Sequence, residues 1–346
     1  MTVIDDEWGD ELGIASEAKA VLLVSPALQE ANNGNWHTAQ RWAQFLSGHC
    51  DTALLPKWPG PLHFTADAMI ALHARRSAPS IQAWAQQWPA KPLILILTGT
   101  DLYRDIRFDA SAKQSLALAT HLVVLQDAGL QEVPSAFQHK TRVIYQSARA
   151  LTPVAKSTRQ FRALMVGHLR DEKDPLTYLR AAARPFEGRM IFEQIGEALQ
   201  PALALAARAA EVATPGYRWL GGLPRAQTRQ YIKRAHVLVN SSTMEGGAHV
   251  ILEAVQSGTP VLASRISGNI GMLGADYAGY FAPGDDAALA ALLQRCAAEP
   301  GFLALLEKQC RQRAHLFSPL EEKRLVLNLL QDALQPSAAH PAGQPG

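Results

Sequence analysis

Short runs of apolar residues recur along this chain, and each is followed by a longer amphipathic segment. The run Leu93–Leu97 is apolar at every position, which is typical of a parallel strand buried on both faces. Similar runs are Ala20–Val24, Ala68–Leu72, Leu122–Leu125 and Val143–Tyr145. The segments between them place apolar residues at helical spacing, as at Ile81, Trp84 and Trp88. Strands that alternate with helices in this way predict an α/β fold with a parallel sheet.

A second series of apolar runs begins after a break in the pattern: Ala163–Val166, Met190–Ile195, Val237–Val239 and Pro260–Ala263. With 346 residues the chain is longer than one typical core, so two domains are expected. We predict two Rossmann-like domains, over 19–150 and 161–316, joined by a linker at 151–160 and facing a central cleft. A C-terminal helix over 317–334 is predicted to cross back to the first domain. An acidic tail (1–18) and a disordered tail (335–346) complete the prediction.

Composition excludes several classes of protein. The chain has 33 Lys and Arg against 31 Asp and Glu, with no basic block, which argues against nucleic-acid binding. Its cysteines, Cys50, Cys296 and Cys310, are too far apart for a disulfide scaffold or a cysteine zinc site. The opening residues are acidic, unlike a signal peptide, and no apolar run approaches the roughly 18 residues that span a bilayer. We therefore expect a cytoplasmic protein without membrane association.

Several well-known motifs do not occur. The chain has no G-x-G-x-x-G, no G-x-x-x-x-G-K-[ST] and no G-x-S-x-G, which disfavours dinucleotide-dependent enzymes, P-loop NTPases and α/β-hydrolases. It also has no H-E-x-x-H and no D-x-D, so we expect no protein-bound metal and no resident cofactor.

The segment Asn240–Glu253 (NSSTMEGGAHVILE) carries the strongest local signal for a binding site. It follows the run Val237–Val239, so it is expected at the carboxyl end of a strand, where parallel sheets bind ligands. A helix that begins at the glycine pair would present the N–H groups of residues 246–248 to an anion. His249 and Glu253 share a helical face, with Glu245 at its mouth. This predicts a ligand with phosphates and hydroxyls; the alternative is that Glu245 only complements the helix dipole and Glu253 is solvated.

These residues resemble a known family. The string E-G-G-A-H-V-I-L-E (245–253) followed by G-T-P-V resembles the E-x7-E signature of the retaining glycosyltransferases with the GT-B fold. Val166–Pro175 (VGHLRDEKDP) resembles the family's G-R-L-x-x-x-K segment, and Leu97–Leu102 (LTGTDL) its H-G-T-D-L loop. The resemblance extends over residues 19–334. It implies a GT-B fold, a UDP-sugar donor and front-face attack without a covalent enzyme intermediate.

The resemblance also implies residue roles on the donor side. Lys173 would neutralise the leaving diphosphate, helped by Arg170 and by the N–H groups of residues 246–248. Glu253 would accept hydrogen bonds from the ribose, and Glu245 from a donor-sugar hydroxyl. The remaining donor-side residues are Gly167, His168, Gly246, Gly247, Ala248 and His249. Three departures from the family indicate an unusual acceptor. His168 replaces its usual Arg, Thr98 replaces its usual His, and Glu245–Gly246–Gly247–Ala248 replaces its Glu-Gly-Phe-Gly turn.

One subgroup, the selenosugar synthases of selenoneine biosynthesis, is matched by A-L-H-A-R-R-S-A (71–78), L-T-G-T-D-L-Y-R-D (97–105) and N-N-G-N-W (32–36). This resemblance implies transfer from UDP-N-acetylglucosamine or a similar UDP-sugar to selenophosphate, which forms a C–Se bond, and a transient partner that supplies selenophosphate. Only one of Arg75 and Arg76 is expected to face the cleft, since adjacent side chains of an extended chain point apart. The predicted acceptor-side residues are Asn33, Gly34, Asn35, His73, Arg75, Arg76, Thr98, Gly99, Asp101 and Arg104.

Three other interpretations stay open. The first is a GT-B glycosyltransferase that acts on another small oxygen or thiol acceptor. The second is a two-lobed small-ligand binding protein without catalysis. The third, a sugar-nucleotide epimerase or dehydrogenase, is weakened by the missing glycine fingerprint.

Overall fold

The computed structural model describes residues 19–26, 34–60 and 64–335. Asn33 and the predicted tails, apart from Gln335, lie outside these residues. The described residues form two parallel sheets of six strands each, which confirms the predicted α/β architecture. The first sheet contains β1 Ala20–Val24, β2 Asp51–Leu55, β3 Ala68–Leu72, β4 Leu93–Ile96, β5 His121–Val124 and β6 Thr141–Val143. The second contains β7 Phe161–Val166, β8 Met190–Ile195, β9 Tyr217–Trp219, β10 Val237–Asn240, β11 Val261–Ser264 and β12 Tyr280–Phe281.

Helices follow the strands and cover the sheets. In the first domain they are α1 Gly34–Leu46, α2 Ala78–Gln87, α3 Ile106–Phe108, α4 Ala110–Leu118, α5 Gly129–Glu132 and α6 Ser135–Gln138. In the second they are α7 Pro175–Ala182, α8 Pro201–Ala213, α9 Arg225–Arg234, α10 His249–Val255, α11 Ser267–Leu273, α12 Asp286–Ala298 and α13 Pro300–Arg313. The last described helix is α14 Pro319–Leu334. A π-helical turn, Asp101–Asp105, and the 3-10 turns Asp171–Lys173 and Ala314–Phe317 complete the regular structure.

The order of strands determines where a ligand can enter each sheet. The first sheet runs β2-β1-β3-β4-β5-β6, and the second runs β12-β11-β10-β7-β8-β9. Strand order therefore reverses between β1 and β3 in the first sheet and between β7 and β10 in the second. In open α/β sheets, ligands bind outside the carboxyl ends of the strands at such a switch point. The loops after β3, β7 and β10 are thus the places where chemistry is expected.

The apolar runs found in the sequence form the interior. Every residue of β3 and β4 is buried, and Trp42 of α1 and Trp84 of α2 are fully buried beside the first sheet. Trp84 packs edge-on against Trp88 with ring centroids 4.6 Å apart. The second sheet has its own apolar core, which includes Leu164, Leu238 and Leu262. Each sheet is therefore stabilised by burial on both faces.

The chain passes between the domains once in each direction. Residues 151–157 have no regular structure and carry the chain from the first sheet to the second. The helix α14 then returns, because Val326, Leu329 and Leu330 belong to the same apolar cluster as Trp42 and Leu46 of α1. The C-terminal helix is thus a structural part of the N-terminal domain.

The helices are too short or too polar to span a bilayer one at a time. Within the described ranges, no single helix is both long and apolar enough to cross a membrane. Only one pair, Asp286–Ala298 with Pro300–Leu334, passes that criterion when the two segments are joined, and they meet at a bend of 105°.

Candidate active site

A cleft of about 920 Å³ lies between the two domains. It is bordered by loops that follow β3 and β4 in the first sheet and β7, β8 and β10 in the second. Most of the predicted site residues line it: Gly34, Asn35, His73, Arg76, Thr98, Gly99, Gly167, His168, Arg170, Lys173, Glu245, Gly246, Gly247, His249 and Glu253. Residues that are far apart in the sequence therefore meet where both switch points face each other.

The glycine turn after β10 closes against the other domain. A Cβ on Gly246 would lie 1.9 Å from the carbonyl oxygen of Thr98, which only glycine avoids. The prediction that a helix begins at Gly246 is wrong, because α10 begins at His249 with Ala248 as its N-cap. Ala248 is buried and is not among the residues that line the cleft, so its predicted donor-side contact is not supported by its position. Adjacent glycines at a close contact favour a turn over helix.

Lys173 ends the 3-10 turn Asp171–Lys173, directly before α7. The next residue, Asp174, has a left-handed backbone (φ 42°), and its carboxylate accepts a hydrogen bond from the backbone N–H of Thr177. The Lys173 Nζ donates to Glu245 Oε1 at 2.5 Å, and the Ser242 hydroxyl donates to the same oxygen at 2.6 Å. The two residues predicted to face the diphosphate and the donor sugar are therefore an ion pair at the carboxyl ends of β7 and β10.

Arg170 has an unsatisfied donor in the cleft. Its Nε is buried and has no hydrogen-bond partner among the described residues, and the nearest carboxylate oxygen, Glu172 Oε2, is 3.9 Å away. A buried N–H of a charged group that lacks an acceptor is costly. An anion bound beside Arg170 would supply that acceptor.

Glu253 is held by two donors. Its Oε1 accepts a hydrogen bond from Arg225 Nε at 2.9 Å and lies 3.5 Å from His249 Nδ1. Burial opposes ionisation of the carboxyl, but the contacts with His249 and Arg225 outweigh it and lower the pKa of Glu253 to about 2. Glu253 is thus a fixed, ionised acceptor at the edge of the cleft. It is 5% exposed, so the alternative interpretation that Glu253 is solvated is wrong.

Sequence reasoning missed several residues on this side of the cleft, two of them at the start of one helix. Arg225 and Thr228, at the start of α9, both line the cavity. Their position in the sequence could have indicated this, because α9 begins directly after Pro224 in the loop that follows β9, at the carboxyl side of the sheet. The segment around β9 contains no continuous apolar run, so the apolar pattern predicts neither this strand nor a site after it.

His73 occupies the acceptor side in a strained conformation. Its φ is 72°, which is uncommon for a residue with a Cβ, and it is 1% exposed. Nδ1 accepts from the backbone N–H of Arg76 at 3.3 Å, so Nε2 carries the proton and donates to the Thr100 hydroxyl at 3.0 Å. Burial lowers the pKa of His73, although Asp101 and Asp105 oppose this. The imidazole is therefore neutral, with both nitrogens engaged.

Three predicted acceptor residues have structural roles instead. Arg75 Nε binds Asp105 Oδ2 at 2.8 Å, and Arg104 Nε lies 3.2 Å from Asp105 Oδ1. Asp101 is fully buried, and its carboxylate accepts from the backbone N–H groups of Thr98 and Ala74 and from the Thr98 hydroxyl. None of these three lines the cleft. The two arginines are paired with Asp105, and Asp101 stabilises its own loop through buried hydrogen bonds. The sequence predicted them in the site only because they lie close in sequence to residues that line it.

Arg76 is the arginine of the pair that faces the cavity. It is exposed, lines the cleft, and its guanidinium forms no hydrogen bond or ion pair within the described part of the chain. Thr98 also lines the cleft, but its hydroxyl is committed to Asp101. Among the described residues, no group of three or more His, Cys, Asp and Glu side chains is arranged to hold a metal ion.

Residues 150–315 match the family model of the glycosyl transferases group 1. This region is similar to that family. The matched region contains β7–β12 and all the donor-side residues predicted above. Its helix α10 carries the E-x7-E string, and its turn at Asp171–Lys173 carries the predicted lysine.

Solved structures extend the likeness to the whole fold. The chain is similar to a sucrose-phosphate synthase from Thermosynechococcus elongatus, with 18% identity, a TM-score of 0.74, and coverage of 91% of this chain and 98% of that one. HepE from Anabaena, in complex with UDP and glucose, matches with 16% identity and a TM-score of 0.70, over 91% and 100% of the two chains. A glycosyltransferase from Rickettsia africae matches with 15% identity and a TM-score of 0.70, over 93% and 100%. The predicted GT-B fold is confirmed.

Proposed function

We propose that this protein is a retaining glycosyltransferase that moves a sugar from UDP-N-acetylglucosamine, or a similar UDP-sugar, to selenophosphate. The product would be a 1-seleno-sugar for selenoneine biosynthesis. The acceptor part rests on Arg76, whose guanidinium has no ion-pair partner among the described residues, and on an acceptor wall whose described lining residues include no carboxylate. The proposal places the reaction in the cytoplasm, with a transient partner that supplies selenophosphate.

The donor half of the proposal is supported by the cations around the β7–β10 switch point. Departure of UDP from the anomeric carbon develops charge on a diphosphate, and fixed cations stabilise that charge without reorganisation. Lys173, Arg170 and the backbone N–H groups of the glycine turn would supply this stabilisation. Glu253 would accept the ribose hydroxyls. The HepE structure holds UDP and glucose, which supports a UDP-sugar as the donor class.

The acceptor half is supported by the first-domain wall of the cleft, whose described lining residues include no carboxylate that could act as a general base. Its described residues in the lining are Gly34, Asn35, His37, His73, Arg76, Thr98, Gly99, Thr100, Leu125 and Gln146. A hydroxyl acceptor profits from a general base, whereas selenophosphate is already an anionic, soft nucleophile and needs none. Both nitrogens of His73 are engaged, so this histidine is poorly placed as a base. Arginine is suited to bidentate contact with a phosphate group, which Arg76 would provide.

The proposed reaction is balanced without another reactant in its first step. The selenium of selenophosphate attacks the anomeric carbon on the face from which UDP leaves, a C–Se bond forms, and the C–O bond to UDP breaks with its electron pair on UDP. Water then cleaves the P–Se bond, which releases phosphate and the seleno-sugar.

Mass spectrometry of the purified protein with UDP-N-acetylglucosamine and fresh selenophosphate tests this proposal. The expected result is a product with selenium's isotope pattern, lost in Lys173→Ala and retained in Lys113→Ala, an exposed lysine on α4. Turnover with an oxygen or thiol acceptor but not with selenophosphate would overturn the selenium assignment and leave a glycosyltransferase for another small anion. UDP binding without turnover of any acceptor would favour a binding protein.

A further inference from the structure

Arg41 of α1 connects the two domains beside the donor site. Its Nε and Nη2 donate to Glu322 of α14 at 2.7 and 2.9 Å, and its Nη1 donates to the backbone oxygen of His37 at 3.2 Å. That Nη1 lies 3.2 Å from His249 Nε2 of α10. Glu322 is fully buried and also accepts from Trp42 Nε1 and the Ser147 hydroxyl. The guanidinium is thus held in one orientation.

This contact determines the tautomer of His249. A guanidinium has donors only, so Nε2 of His249 must be the acceptor and the ring proton must sit on Nδ1. Nδ1 faces Glu253 Oε1 at 3.5 Å. The charged and titratable groups around His249 are Arg41 from α1, Arg225 from α9, Glu253 from its own helix and His37, whose ring centroid is 6.3 Å away. Burial and the two arginines lower the pKa of His249 and favour the neutral ring, although Glu253 opposes this.

We propose that Arg41, a residue of the acceptor domain, is a positioning residue for the nucleotide donor: it selects the Nδ1–H tautomer of His249, which in turn orients the Glu253 carboxylate. The proposal rests on the proposed function in one respect, namely that Glu253 binds the nucleotide. It makes UDP affinity depend on the docking of the N-terminal domain through one hydrogen bond. No contact between Arg41 and the nucleotide is required.

A double-mutant cycle on UDP affinity tests the inference. Arg41→Lys keeps a cation beside Glu322, but a single ammonium cannot both replace the bidentate pair and reach His249. We expect it to weaken UDP binding about fivefold to tenfold, measured by calorimetry. In a His249→Asn background, the amide can donate toward Glu253 and has no tautomer to choose. There, Arg41→Lys should leave UDP affinity unchanged.

Other outcomes separate the possible failures. An equal loss of affinity in both backgrounds, or no loss in either, would overturn the role of Arg41. A wild-type protein that does not bind UDP would overturn the proposed function itself.

The tautomer can be observed without any ligand. In ¹H–¹⁵N spectra of protein labelled in its histidine rings, His249 should show a protonated Nδ1 in the wild type and a mixture or the other tautomer in Arg41→Lys. An unchanged tautomer would overturn the inference whatever the affinities are. If Arg41→Lys does not fold, His249→Phe tests the second step of the inference. Its ring cannot donate toward Glu253, so UDP binding should weaken, and an unchanged UDP affinity would overturn the inference.

Discussion

Single side chains in the cleft are held by different kinds of partner. Glu253 receives donors from Arg225 and His249, whereas Glu245 receives Lys173 and the Ser242 hydroxyl. The Glu253 carboxylate is therefore held by two neighbours in its own domain, and one of them, His249, is contacted by Arg41 of the other domain. The second is paired with the cation that would neutralise a diphosphate, so a bound donor must compete for that lysine.

Replacement of Glu253 tests the nucleotide subsite. Glu253→Gln removes a charged acceptor, and hydrogen bonds to charged groups are worth about 1.5–3 kcal/mol, so UDP affinity should fall about tenfold to hundredfold. Isothermal calorimetry with UDP measures this. Glu299→Gln, on the exposed C-terminal side of α12, is the matched control and should bind UDP as the wild type does. An unchanged affinity in Glu253→Gln would exclude its role in nucleotide binding.

The adjacent arginines offer a matched pair of variants. Arg76→Ala should raise the KM for an anionic acceptor about tenfold or more, because it removes a cation from the acceptor wall of the cleft. UDP affinity should not change, because Arg76 is not among the donor-side residues. Arg75→Ala should leave the acceptor KM unchanged and lower Tm slightly, since its partner is Asp105. Steady-state kinetics and thermal melts distinguish the two. Equal acceptor KM values for Arg76→Ala and the wild type would contradict an anion subsite at Arg76.

Among the elements, buried strands were predictable and most edge strands were not, although the edge strand β6 overlaps the predicted run at Val143. The central strands β3, β4, β7 and β10 appear in the sequence as continuous apolar runs, because both of their faces are covered. The strands that escaped prediction, β2, β9 and β12, all lie at a sheet edge. Asp51 and Arg218 show why, since one side of an edge strand is exposed and polar residues interrupt the run.

The turn after β10 is an element whose sequence reflects a contact with the other domain. Gly246→Ala would place a Cβ 1.9 Å from Thr98 O and 2.8 Å from Gly99 N, so the domains must move apart. We expect kcat/KM to fall about hundredfold, in line with the cost of a displacement of about 1 Å in a catalytic site. Gly301→Ala, where nothing lies within 4 Å, is the control for the substitution itself. Wild-type turnover in Gly246→Ala would show that this close contact does not matter for catalysis.

At the level of the whole molecule, the domains are joined by contacts between groups of opposite polarity. Arg313 of α13 lies 3.5 Å from Asp127 of the N-terminal domain, and the Tyr145 hydroxyl donates to Gly271 O at 2.9 Å. Together with Arg41 and His249, these contacts surround the cleft. The geometry of the site therefore depends on how both domains and α14 are docked.

Acid is expected to destabilise the protein through its buried histidines. Burial lowers the pKa of His37 to about 4 and lowers the pKa values of His73, His121, His236 and His249 below the ordinary 6.5. Below pH 6.5 the unfolded chain takes up protons that the folded chain refuses, so stability falls as pH drops from 6.5 toward 4. Thermal melts should show Tm lower by about 5 °C or more at pH 5 than at pH 7.

Two histidine variants check that explanation. His37→Asn should reduce the slope of Tm against pH, because it removes one group whose folded pKa is depressed. His139→Asn, on the exposed end of α6, should leave the slope unchanged. A Tm that is constant or rises between pH 7 and pH 5 would contradict the assignment of these histidines as neutral in the folded state.

Local patterns in the chain were sufficient for the α/β class and the two sheets, and motifs that resemble a known family singled out Lys173, Glu245 and Glu253. Such features depend on contiguous residues, whose periodicity and turn chemistry can be identified without knowing which distant residues pack against them. The choice of Arg76 over Arg75, the burial of Asp101, and the contact between Arg41 and His249, which are 208 residues apart, could not be read in this way. They arise only when helices of two domains pack together, because the partner of each group is supplied by distant chain rather than by its neighbours in sequence.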